Sequence, residues 1–289
     1  MEGKLGEVTD GGEIVRSPAL PRDLLPRAVS AAVLAAVALV GNWAGAIPFA
    51  LLVLLVSLVM CWEWARIVRG PVLDAILVFQ AAIVAAAVGL TVFGAAAWAV
   101  FLVLTGTLAV HLIAHRSTTL LPALGVAYVG LPAIGMIWLR GSDGLGAAAI
   151  FFIFAIVWTT DTFAYLCGRA IGGPKLWPAL SPRKTWAGTL GGIVFAAMAG
   201  AIFATQVPAS SPVMLALVAI LLSMVAQAGD LAESALKRAF DVKNASNFIP
   251  GHGGFMDRMD GVVTAASLAA LIAAMRGAQT PGQSLLFWS

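Results

Sequence analysis

Arg27 to Glu63, RAVSAAVLAAVALVGNWAGAIPFALLVLLVSLVMCWE, carries no charge between its two ends. A membrane-spanning helix needs about 20 predominantly apolar residues. The stretch is long enough for two such helices, with Gly41-Asn42-Trp43 as the break between them. The same reading extends along the chain. Ala75 to Val110 is uncharged and breaks near Gly94, and Ser117 to Leu139 makes one further span. Gly144 to about Cys167 makes another, with Asp161 inside it. Thr185 to Gly229 holds two more on either side of Pro208 to Pro212, and a short last span runs from about Gly261 to Met275. The expected fold is therefore all-α, a polytopic integral membrane protein of about nine transmembrane helices.

Composition supports that solvent assignment. Of 289 residues, 61% are hydrophobic and only 11% are charged, against roughly 25% charged in a soluble protein. Seventeen basic and 14 acidic residues are too few to cover a soluble globule of this size. Mean hydropathy is +0.96. Disorder, collagen-like repeats and a disulfide-stapled secreted domain are excluded. The net charge of +3 does not imply a nucleic-acid partner, because in a membrane protein the placement of charge matters more than its sum. Cys61 and Cys167 form no CxxC pair, so neither a zinc site nor a disulfide framework is expected. The organisation reads as a flexible polar tail (1–26) without a signal-peptide pattern, N-terminal helices (27–139), and a C-terminal catalytic region (140–289). That last region carries cytoplasmic loops at 169–185 and 230–258.

Lys and Arg should gather on cytoplasmic loops. With the N-terminus inside and nine spans, every Lys and Arg except Arg140 and Arg276 falls on the cytoplasmic side, and the C-terminus lies outside. The acids follow, Asp143 alone excepted. Acids contribute little to orientation, so their gathering at the same face points to a polar site.

Two segments carry that polarity. The first runs from Asp161 through Tyr165, Gly168 and Arg169 to Ser181-Pro182-Arg183-Lys184-Thr185-Trp186. A carboxylate costs roughly 2.5–3.5 kcal/mol at mid-bilayer and less near the interface. Asp161 is therefore either a helix-end charge paired with Arg169 or part of a metal or phosphate site. Two cations, two hydroxyls and a proline turn between Ser181 and Thr185 suit an anion, although topology alone also produces short basic loops. Gly168 to Lys175 is not a Walker A loop, because no Ser or Thr follows the lysine.

The second segment begins with Asp230, Glu233, Ser234, Lys237 and Arg238, passes Lys243-Asn244, and ends with Pro250-Gly-His252-Gly253-Gly254-Phe-Met-Asp257-Arg258-Met-Asp260. On a helix Asp230, Ser234 and Arg238 would share a face; Glu233 and Lys237 also stand four apart, the ordinary spacing of a solvated ion pair. The glycines allow backbone N–H groups to approach a ligand. Asp257 and Asp260 lie on one side of the helix that opens the last span; capping accounts for one of them, not both. Oxygen ligands of this kind suit Mg2+, which takes one or two carboxylates and fills its shell with water and phosphate oxygens. Lys237, Arg238, Lys243 and Arg258 suit the phosphates themselves. The combination points to phosphoryl or nucleotidyl transfer on an amphiphile. His111 and His115, four apart at a helix end, read as ordinary interfacial residues.

The run Ser234-x-x-Lys237-Arg238-x4-Lys243-Asn244-x5-Pro250-x-His252-Gly253-Gly254-x-x-Asp257-Arg258-x-Asp260 closely resembles the signature of the phosphatidate cytidylyltransferases, the CDP-diacylglycerol synthases. Asp161 to Arg169 and Ser181 to Trp186 match two further family blocks, and the resemblance covers roughly Tyr128 to Gly261. Two positions depart from it: Asn244 and Ala187 stand where the family usually has acids. The resemblance implies transfer of a cytidylyl group from CTP to phosphatidic acid in the lipid bilayer, and a homodimer is compatible with it. It implies Asp230, Asp257 and Asp260 near Mg2+, with Asp161 as a further member. Lys237 and Arg238 join the catalytic group. Ser181, Arg183, Lys184, Thr185, Ser234, Lys243, His252, Gly253, Gly254 and Arg258 are the expected substrate contacts. The expected location is a bacterial inner membrane, with the site facing the cytoplasm. A transporter should instead place its charges near the midplane and show an inverted repeat. A CTP-using polyprenol kinase is the nearer rival.

Overall fold

The computed structural model describes residues 24–70, 73–114, 120–207, 210–246, 248 and 253–288, with side chains described from Val29 onward. The tail before Leu24, His115 and His252 lie outside the described residues. In hydrocarbon no water satisfies backbone N–H and C=O groups, so uncharged runs close their hydrogen bonds internally as helices. Among the described residues nine long helices result: α1 (Leu24–Trp43), α2 (Ala46–Arg69), α3 (Ala75–Val92), α4 (Ala96–Ile113), α5 (Leu121–Arg140), α6 (Gly144–Ala170), α7 (Trp186–Ala204), α8 (Pro212–Ala239) and α9 (Met256–Arg276). A six-residue helix, α10 (Pro281–Leu286), follows. Eight of them, α2 to α9, are long and apolar enough to cross a membrane; the described side chains of α1, Val29–Trp43, form a shorter apolar helix. The protein is an integral membrane protein.

Three local departures from the sequence reading matter for the site. The apolar run ends near Gly229, but α8 continues as one helix to Ala239. The last span begins at Met256 rather than Gly261, so Asp257, Arg258 and Asp260 sit in its first turns. Between α6 and α7 the chain forms a two-stranded antiparallel hairpin, β1 (Lys175–Trp177) with β2 (Ser181–Thr185). This short hairpin is the one sheet among the described residues of an otherwise helical chain.

Polar contacts sort to the two ends of the bundle. At one end Arg140 donates from Nε and Nη2 to the Asn42 carbonyl at 3.0 and 2.8 Å, and Asn42 Nδ2 donates to the Ala147 carbonyl at 3.0 Å. Ser210 there donates to the Leu286 carbonyl. The opposite end gathers Glu63, Lys184, Asp230 and Asp257. The two ends are joined by a core in which Phe152, Ile153, Ile156, Leu215 and Leu222 are fully enclosed.

Small residues let the helices carrying the site approach closely, as at membrane helix interfaces generally. A Cβ on Gly188 would stand 2.5 Å from the Ala164 carbonyl oxygen, and one on Gly192 2.9 Å from that of Thr160. Those two glycines therefore set the α6–α7 spacing. Gly188→Leu is expected to lower the Tm of the detergent-solubilised protein, since overpacking costs about 1–3 kcal/mol. Gly89→Ala on α3, where a Cβ would meet nothing within 4 Å, is expected not to lower it in the same thermal-shift assay.

Candidate active site

The site is assembled from α2, α6, β2, α8 and α9. Its centre is a group of three carboxylates: Asp230 and Glu233 on α8 and Asp260 on α9 each offer an oxygen within 4.8 Å of the others. The helices can bring them together because Gly229 lies at their crossing. A side chain there would meet Thr264 Oγ1 at 2.4 Å and the Asp260 carbonyl at 2.9 Å. Thr264 ties the crossing further, donating to the Val225 carbonyl at 3.1 Å.

Glu233 corrects the expectation of a solvated pair with Lys237. It is 3% exposed, and neither carboxylate oxygen accepts a hydrogen bond from a described residue. It pairs with Lys237 Nζ at 3.4 Å. Buried charge without hydrogen bonds is expensive, and a cation is the group that would offset it. Asp230, Glu233 and Asp260 therefore fit a divalent ion in ligand type and in number.

Asp257 is turned to a different task. Oδ1 accepts from Lys237 Nζ at 2.6 Å, while Oδ2 accepts from the backbone N–H groups of Gly254 at 2.8 Å and Ala245 at 3.0 Å. It fastens Ala245 and Gly254 to the start of α9 and fixes the lysine that faces Glu233. Gly253, at φ 86°, occupies the left-handed region that glycine favours. A Cβ on it would also meet Asp257 Oδ2 at 2.8 Å. Asp161 is exposed on α6, within electrostatic range of Asp230, Lys184 and Arg258.

The hairpin delivers Lys184, whose Nζ forms an ion pair with Asp230 and donates to the Gln227 carbonyl at 3.4 Å. Thr185 is buried and spends its hydroxyl capping α7, accepting from the Gly188 N–H at 3.1 Å. Ser181 and Ser234 are half-buried, and Arg183, Arg238, Lys243 and Arg258 are exposed. Cations thus ring an acidic centre.

A further acid, Glu63 near the end of α2, holds the site from beneath. It is fully buried and accepts from Ser246 Oγ at 2.5 Å, Phe255 N at 2.9 Å and Met256 N at 2.6 Å. Those N–H groups open α9, where the helix dipole favours a negative charge. Gly254 is the residue that fits there: a Cβ would stand 2.5 Å from Glu63 Oε1. In the sequence Glu63 reads only as the residue that ends an uncharged stretch. Its one signal is that it precedes the first basic residue after the apolar run.

Acids able to hold a cation, with basic side chains about them at one end of a polytopic bundle, are the equipment of a membrane enzyme of phosphate-ester chemistry. The chain belongs to the cytidylyltransferase family, whose model matches residues 25–275. It is 38% identical over 255 residues to the phosphatidate cytidylyltransferase of Brucella abortus, covering 88% of this chain and 94% of that one. It is 40% identical over 175 residues to the protein of that name from Bacillus subtilis, 60% of this chain and 64% of the relative. The counterpart in Staphylococcus epidermidis is 44% identical over 138 residues, 47% of this chain and 52% of that one.

Glu63→Ala strands three donors, each at a cost of about 1–3 kcal/mol. It is expected to lower both Tm and turnover, and Glu63→Gln, which keeps an acceptor, to restore part of each. Paired thermal-shift and activity measurements check this.

Proposed function

We infer that this enzyme transfers the cytidylyl group of CTP to phosphatidic acid, giving CDP-diacylglycerol and pyrophosphate for phospholipid synthesis. The observation that carries the reading is the Asp230–Glu233–Asp260 cluster with Lys184 and Lys237 against it, at one end of the helical bundle. A phosphate oxygen of phosphatidate attacks the α-phosphorus of CTP. The new P–O bond forms as the bond to the β-phosphate oxygen breaks, and pyrophosphate leaves with that electron pair. The attacking oxygen is ionised at neutral pH, so no general base is required, in keeping with a chain of three histidines.

The protein's part is positioning and charge neutralisation. Asp230, Glu233 and Asp260 would hold Mg2+, which when bound supplies positive charge to the phosphoryl oxygens. Asp161 lies near enough to contribute through the electrostatics it shares with Asp230. Arg183, Arg238, Lys243 and Arg258, exposed at the mouth, suit the triphosphate and the lipid phosphate. Lys184 and Lys237 lie deeper and suit the oxygens nearest the transferred phosphorus. Asp257 keeps Lys237 in place. The concentration of Lys and Arg at this end supports a cytoplasmic orientation of the site in a bacterial inner membrane.

Purified protein given phosphatidate, Mg2+ and CTP labelled on the α-phosphate is expected to place the label in the lipid and to release unlabelled pyrophosphate. Label confined to CDP, with a newly phosphorylated lipid, would favour a kinase instead. Glu233→Gln and Asp260→Asn are each expected to lower kcat by about 100-fold. Retention of full activity by both would overturn the assignment of the cluster.

A further inference from the structure

A cavity of about 360 Å3 opens between α2, α5 and α8 beside the acidic cluster. Its walls include Trp64 of α2, Leu121 and Tyr128 of α5, and Glu233, Leu236 and Ala239 of α8. It runs from the helix ends at Leu121 and Ala239 to the level of Tyr128 and Glu233, about 10 Å deep at 1.5 Å per residue. Ala239 is exposed, so the rim is accessible, and Glu233 places the floor at the carboxylate group.

The polar inventory of this cavity is short. Trp64 lies across α5 because Gly125 leaves it room; a Cβ there would meet Trp64 Cδ1 at 2.4 Å. Its indole N–H is spent on the Leu121 carbonyl at 2.9 Å. The Trp64 ring packs on Tyr128 at 4.9 Å between centroids, which fixes the phenol. Tyr128 Oη is buried and makes no hydrogen bond to a described residue. It lies within electrostatic range of Glu233, Asp260, Asp230 and Asp257. A buried hydroxyl left unmatched is costly, and this one belongs to a residue that lines a substrate-sized space.

We propose that this cavity receives the glycerol and first acyl segments of the phosphatidate, and that the Tyr128 hydroxyl donates to an acyl-ester carbonyl of that lipid. The inference rests on the activity proposed above. CTP is a poor occupant: its base and triphosphate need many donors, and the walls are almost wholly apolar. A diacylglycerol moiety needs apolar walls and a donor or two, and its phosphate would then project toward the cluster. Trp64, by holding the ring, is a positioning residue for Tyr128.

The experiment compares wild-type enzyme and Tyr128→Phe in mixed micelles, using diester phosphatidate and its dialkyl-ether analogue, which lacks ester carbonyls. For the diester, Tyr128→Phe is expected to raise the KM about three- to tenfold, the worth of one hydrogen bond. The KM for CTP is expected to stay the same. For the ether lipid the two proteins should be indistinguishable. Leu236→Trp, which fills the cavity from α8 and keeps the phenol, is expected to raise the KM for both lipids and not that for CTP. An unchanged diester KM in Tyr128→Phe, an equal rise with the ether lipid, or a rise in the KM for CTP would overturn the subsite. Wild-type enzyme that makes no CDP-lipid would overturn the activity as well; product formation with an indifferent Tyr128→Phe overturns the subsite alone.

Discussion

Glu63 is a fully enclosed carboxylate in a helix that is otherwise apolar for most of its length. Such a group survives burial only where donors are fixed around it. The first N–H groups of α9 supply them, and those groups have no partner within their own helix. The interaction therefore answers two needs at once and locks α2 to the start of α9. Everything at the catalytic end is referred to that point. At the next residue, Asp257 binds the backbone of Ala245 and Gly254 and the side chain of Lys237. One turn further, Asp260 meets α8 at the Gly229 crossing. A shift in the entry of α9 would move the acid cluster and its lysine together.

Charge is graded across the site. The inner layer is acidic: Asp230, Glu233 and Asp260 share one small volume, and Lys184 and Lys237 offset only part of their charge. The outer layer is cationic, with Arg183, Arg238, Lys243 and Arg258 exposed. A purely cationic pocket would attract a triphosphate strongly but would leave it bound anywhere along the surface. An acidic centre inside a basic rim instead rewards a phosphate that arrives with a divalent ion, and it rewards it at one place. The rim collects and the centre selects.

The helical spans were legible because length and hydropathy alone decide them. The ends of the active-site helices were not. In α8 and α9 the helix outruns its apolar stretch, since bonded charges such as Asp257 and Lys237 extend it past the end of the apolar run. Glu233 illustrates the limit most sharply. Its spacing to Lys237 is that of a solvated pair, and only the approach of α9 to α8 makes it a buried member of the cluster. Glu63 escaped because its partners lie more than 180 residues away. The residues recovered from sequence were those whose types are chemically unusual beside a membrane: paired aspartates, clustered cations and a glycine loop.

Depth explains why so much of the chemistry is carried by helices rather than loops. A lipid presents its phosphate near the end of the hydrocarbon region, and its acyl esters lie just below. Glu233 and Tyr128 stand about 10 Å inside the ends of α8 and α5, by helical rise. A site at that level meets the lipid without extracting it. Irregular backbone is poorly tolerated at such depth unless buried in protein, so carboxylates placed there must ride on continuous helices. Asp161, Asp230, Glu233 and Asp260 all do. The hairpin and the glycine loop need not go so deep, because they handle the end of the reaction that faces water. Acids borne on helices suit a substrate that arrives through the bilayer, and Arg183 and Lys184 of the hairpin suit one that arrives through solution.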